Sequence, residues 1–70
     1  MRYAIYFTWK DDNTSDSIIV KGVEERNLNI KDMIKRNEFK DIYYCKIYSS
    51  GEYGKHIKVG KNCCNFDNRF

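Results

Sequence analysis

Seventy residues carry thirteen basic and ten acidic side chains, a net charge of +3, with 41% hydrophobic and 16% aromatic residues. That length allows one small domain, and the mixture of apolar and charged residues excludes a disordered tail. The charge permits an anionic partner without demanding one, and no apolar run is long enough to span a bilayer.

Residues 2–10, RYAIYFTWK, alternate and predict a strand. Tyr3, Ile5, Phe7 and Trp9 should face the core, with Ala4, Tyr6, Thr8 and Lys10 on the other side. Residues 11–15, DDNTS, form a polar turn. Residues 17–23, SIIVKGV, should return antiparallel, Gly22 marking a bulge or the strand's end. Residues 24–27 read as a charged connector. A short helix follows, with Asn29 as N-cap and Asp32 favourable at its positive end. Leu28 and Met33 bracket that cap as a hydrophobic staple. Ile30, Met33 and Ile34 recur at helical spacing, with Lys31, Lys35 and Arg36 opposite. Asn37 should end the helix and Phe39 fold back onto the core. A helix this short holds only by packing on a sheet.

Residues 41–60, DIYYCKIYSSGEYGKHIKVG, read as a second hairpin. A three-residue loop, Ser49-Ser50-Gly51, puts Gly51 at the left-handed position of a type I turn plus bulge. Tyr48 then faces Glu52, Ile47 faces Tyr53, Cys45 faces Lys55 and Tyr43 faces Ile57. A two-residue loop, Ser50-Gly51, would set Lys46 against Lys55, which is unfavourable. In the first register Tyr43, Cys45, Ile47, Tyr53, Ile57 and Val59 share the core face. Tyr44, Lys46, Tyr48, His56 and Lys58 share the other. The expected fold is α+β: a small antiparallel four-stranded sheet in ββαββ order with one short helix on one face. Residues 1–60 form the domain. Residues 61–70, KNCCNFDNRF, form an irregular tail, dispensable for folding unless Phe66 or Phe70 closes the core.

The candidate chemistry is sparse. Cys63 and Cys64, with Cys45 and His56, lack the paired spacing of a zinc site, and adjacent cysteines point apart on an extended chain. Asp11, Asp12 and Asp16 lack the spacing of a calcium loop. His56 has no nucleophile motif or paired acid beside it in sequence. No cofactor, metal or enzymatic activity is therefore expected. Three cysteines make no disulfide framework, which points to a reducing cytoplasm, and no leader is seen that would mark secretion.

One constellation stands out. One helix covers one face of a sheet, so Tyr44, Lys46, Tyr48, His56 and Lys58, extended by Tyr6 and Lys10, should face water, where Tyr and Lys are common through strand propensity alone, or meet a partner. Tyrosines anchor protein interfaces. The same mixture suits single-stranded nucleic acid, with bases on the rings and phosphates on the lysines. The small size and the Lys-, Asn- and Ile-rich composition resemble small proteins encoded by phages of AT-rich bacteria. That resemblance covers no particular motif. It implies an accessory protein that binds and inhibits a host factor in the host cytoplasm, anti-defence inhibitors being one example.

Overall fold

Alternation at the start of the chain builds the first hairpin, β1 (Arg2–Trp9) with β2 (Ser15–Lys21), in a computed structural model that describes residues 1–60. Expectations for the tail, including Cys63, Cys64, Phe66 and Phe70, lie outside the described residues. The connecting turn is held by its polar residues. Asn13 takes φ 61°, and the Trp9 N–H donates to the Thr14 carbonyl at 2.8 Å. The Asp12 carboxylate accepts from the Thr14 hydroxyl at 2.7 Å and its N–H at 3.1 Å, which lowers its pKa. Tyr3, Ile5 and Phe7 are buried as expected, and Trp9 is half-buried at the core's edge.

The helix is longer than its sequence signal. It runs over Gly22–Arg36 (α1), about two turns more than the Asn29 cap predicts. Gly22, at φ +79°, swings the chain from β2 straight into the helix, and its N–H donates to the Met1 carbonyl at 2.7 Å. No charged connector intervenes, and Leu28 is exposed rather than stapled. Asn29 sits mid-helix, donating to the Glu25 carbonyl. The early turns were hidden because Arg26 and Asn27, two polar residues, occupy buried positions in register with Ile30 and Met33. Asn37 does end the helix, left-handed at φ 54°, with its N–H shared by the Met33 and Ile34 carbonyls. Glu24 and Glu25 in the first turn and Lys35 and Arg36 in the last complement the helix dipole.

β3 (Phe39–Ile47) and β4 (Ile57–Lys58) complete a four-stranded antiparallel sheet among the described residues, ordered β2-β1-β3-β4. The helix lies on one face, above a core of Ile5, Phe7, Val20, Ile30, Met33, Phe39, Ile42, Tyr44 and Val59. Phe39 packs edge-on to Phe7 with ring centroids 5.0 Å apart. No helix among the described residues is long and apolar enough to cross a membrane.

β1 decides which face of β3 meets the helix. Ile5 pairs with Tyr44 and Phe7 with Ile42, and paired residues share a face. Ile42 and Tyr44 therefore enter the core, while Tyr43, Cys45 and Ile47 point away from the helix. This reverses the faces expected for β3, whereas Val59 enters the core as expected. Tyr53 and Ile57, expected in the core, are exposed.

The loop itself forms as its sequence requires. The Tyr48 N–H donates to the Glu52 carbonyl, the Gly51 N–H donates to the Tyr48 carbonyl, and Ile47 bridges to Tyr53. Farther along, Tyr44 pairs with Ile57 and Tyr43 with Lys58. Between those two registers β3 spends two residues and its partner spends three, Gly54 to His56. This one-residue bulge replaces the expected pairs Cys45–Lys55 and Tyr43–Ile57. Gly51 has φ +92°, and a Cβ there would meet nothing within 4 Å. Gly51→Val should therefore cost about 1–2 kcal/mol through the backbone alone. Gly51→Asn should recover most of that loss, since Asn tolerates the left-handed region. Urea unfolding of both variants checks this, and equal midpoints for Val and Gly would remove the backbone argument.

Candidate interaction surface

The sheet face away from the helix is built on a small second core. Ala4, Cys45 and Ile47 are buried there with Tyr6 packed against them. The bulge at Gly54–His56 supplies the cover. It sends His56 back over the sheet, where its ring stacks on Tyr6 with centroids 4.7 Å apart and planes at 29°. β3 lies between β1, which carries Tyr6, and β4, which follows His56 in the chain, so the stack spans β3. The Cys45 Sγ is 4.0 Å from the Tyr6 Oη. Burial, and then the thiol, push the Tyr6 phenol above its ordinary pKa.

Beside the stack runs a groove of about 550 Å³, whose lining includes Tyr6, Thr8, Ser15, Asp16, Ser17, Tyr43 and His56. Cross-strand pairing assembles it: Tyr6 lies between Ser17 on one side and Tyr43 on the other, and Thr8 pairs with Ser15. The Thr8 and Ser15 hydroxyls are 3.0 Å apart. Ile19, paired with Ala4, is 55% exposed and extends the surface towards the β2 edge. Lys58 lies across from Tyr43, its ammonium 6.0 Å from the ring centroid and 3.6 Å from the Asp41 carboxylate.

The seven residues expected on one face thus fall in three places. Tyr6, His56 and Lys58 are on this open face. Tyr44, Lys46 and Tyr48 belong to the opposite side, with Tyr44 only 6% exposed among core residues. The Tyr44 ring supports the Arg26 guanidinium, 4.5 Å from its centroid. Lys10 lies beyond the end of β1, where the register of β1 with β3 shifts, and its ammonium donates to Asn37 Oδ1 at the end of the helix. Tyr43, Ser15, Ser17 and Ile19 were missed. Tyr43 and Ser17 follow once Tyr6 is given its two neighbours, a long-range pairing that alternation within one strand does not reveal. Among the described residues, no three His, Cys, Asp or Glu side chains gather as metal ligands.

Compared with protein-family models, curated proteins and solved structures, the chain matches none.

Proposed function

We propose that this chain is a non-enzymatic binding module that docks a protein partner on its open sheet face. The Tyr6–His56 stack beside Tyr43 carries this reading. It offers three rings with polar tips, braced by the buried layer of Ala4, Cys45 and Ile47. Rigid amphipathic rings of this kind are what interface hot spots are made of. The surrounding hydroxyls and Ile19 suit the mixed polarity of a protein interface. In this reading the module acts as a small accessory protein that occupies a surface of a host factor and so inhibits it.

Charge speaks against single-stranded nucleic acid on this face. Lys58 is beside Asp41, Asp16 lines the groove, and Lys10 and Lys46 lie elsewhere. Phosphate binding needs cations along the track of the strand. Once a partner has been purified, Tyr6→Ala and Tyr43→Ala should each weaken binding by about 2 kcal/mol, roughly 30-fold. The affinity should change little between low and moderate salt. Unchanged titrations by both variants, with circular dichroism showing them folded, would take this face out of consideration.

A further inference from the structure

Among the described residues, β2 forms one border of the sheet and β4 the other. β4 is two residues long, whereas β2 runs for seven without a register shift or a proline. We infer that β2 is a dimerisation edge, to which a second copy of this chain adds its own β2 antiparallel, joining the two sheets into one.

Hydrogen-bond parity defines what that edge offers. The Gly22 N–H donates to the Met1 carbonyl and the Trp9 N–H to the Thr14 carbonyl. Both pairs continue the β1–β2 register, and bonded pairs alternate along an antiparallel ladder. Asp16, Ile18 and Val20 therefore direct their main-chain groups to β1, while Ser15, Ser17 and Ile19 turn theirs outward. Lys21 turns its N–H outward, its carbonyl being committed to the helix as the N-cap. An unpaired row of this kind is a template for another strand.

The sequence of β2 is complementary to itself. Its acid, Asp16, and its base, Lys21, stand near opposite ends of the strand. An antiparallel copy brings the acid of each chain beside the base of the other, whereas a parallel copy would bring like charges together. Lys21 has no ion pair among the described residues. The Asp16 carboxylate holds the Ser17 N–H at 2.8 Å and so blunts the edge at one point. Pairing Ser17 with the copy's Ile19 gives that N–H a carbonyl and releases the carboxylate to the copy's Lys21. In the same register Ser15 faces the copy's Lys21, so every outward residue is used. Ile18, half-buried in the single chain, meets its own counterpart on the two-fold axis, and Ile19, 55% exposed, is covered from the side. Strand pairing about that axis leaves both open faces pointing the same way, which sets two Tyr6–His56 stacks side by side.

Sedimentation equilibrium of the full chain from about 1 μM to 1 mM should carry it from monomer to dimer mass. Amide exchange at Ile19 and Lys21 should slow as concentration rises, while Ile18 and Val20, already bonded to β1, should not change. Ile19→Pro removes an outward N–H without touching the β1 ladder, a place where an edge strand accepts proline, and should leave a folded monomer. Asp16→Lys and Lys21→Asp, both at exposed side chains, should each weaken self-association about tenfold, because the two-fold counts every like-charge pair twice. An equimolar mixture of these two variants should form a heterodimer about as tight as the parent dimer. If Ile19→Pro fails to fold, the charge variants and their mixture still decide. A chain that stays monomeric at about 1 mM overturns the inference. A dimer indifferent to the charge variants, or one whose formation leaves exchange at Ile19 and Lys21 unchanged, overturns it as well. Tyr43→Ala, on the open face, should leave the association unchanged, so this outcome is independent of the open-face reading.

Discussion

Ile30→Ala should cost about 2–5 kcal/mol and leave most of the protein unfolded at physiological temperature. Ile30 is fully buried, at the centre of the face that α1 turns to the sheet, in the same cluster as Ile5 and Phe7. Removing its branched side chain forfeits transfer energy and leaves a cavity that the sheet below is too constrained to fill. So small a domain has only about 3–5 kcal/mol of net stability, so one such loss consumes nearly all of it. Thermal unfolding followed by circular dichroism measures the effect. An unchanged midpoint would mean that α1 is not docked through this residue. Ile30→Val, which removes one methylene, should cost about 1 kcal/mol and keep the protein folded.

Arg26→Ala should cost about 3 kcal/mol, nearly as much, for a different reason. Arg26 is 8% exposed, and its charged donors reach Asn27, itself 2% exposed. A hydrogen bond to a charged group contributes about 1.5–3 kcal/mol, and a guanidinium held against aromatic rings about 0.5–2 kcal/mol, with overlap between the two. Truncation also strands Asn27. Its Nδ2 has no partner among the described residues, and its Oδ1 would lose the donors it has. A buried amide left unsatisfied is penalised more than one replaced by carbon. The double variant Arg26→Met/Asn27→Leu should therefore be more stable than Arg26→Met alone, by about 1 kcal/mol. If Arg26→Ala moved the urea midpoint by no more than a surface substitution does, the pair would have no structural role.

The same two residues explain why part of the fold was hard to read. Strand β1 was legible because its alternation is one-sided: large apolar residues on one face, small or polar-tipped ones on the other. The loop at Gly51 and the helix end at Asn37 were legible because each needs a left-handed backbone that few residues accept. The helix start was not, since an arginine and an asparagine at core positions break the apolar period that announces a helix. β3 failed differently. Ile42 and Tyr44 on one side, and Tyr43, Cys45 and Ile47 on the other, are about equally apolar, so its alternation does not say which side is inward. The decision comes from pairing with β1, about half the chain away. The candidate surface inherits this ambiguity. Tyr6 and His56 were assigned to the open face, but the bulge that joins them was concealed in Gly54-Lys55-His56, which reads as ordinary strand.

The strand order sets a schedule for synthesis. β1 emerges first, yet it lies between β2 and β3 and needs both. Its β2 side can close as soon as the turn and Lys21 have left the ribosome. Its other edge finds its first partner in Phe39, opposite Trp9, and is not fully paired until Ile47, the partner of Arg2, has been made. Until α1 docks, the nascent chain presents Tyr3, Ile5 and Phe7 on a two-stranded ribbon, and the hydrogen-bonding edge of β1 stays open after that. Exposed edges of this kind recruit other strands. Crowded polysomes, more than the finished protein, are where this chain is most exposed to misassembly. A slow stretch of codons is tolerated best after β3 is out, and worst between α1 and β3.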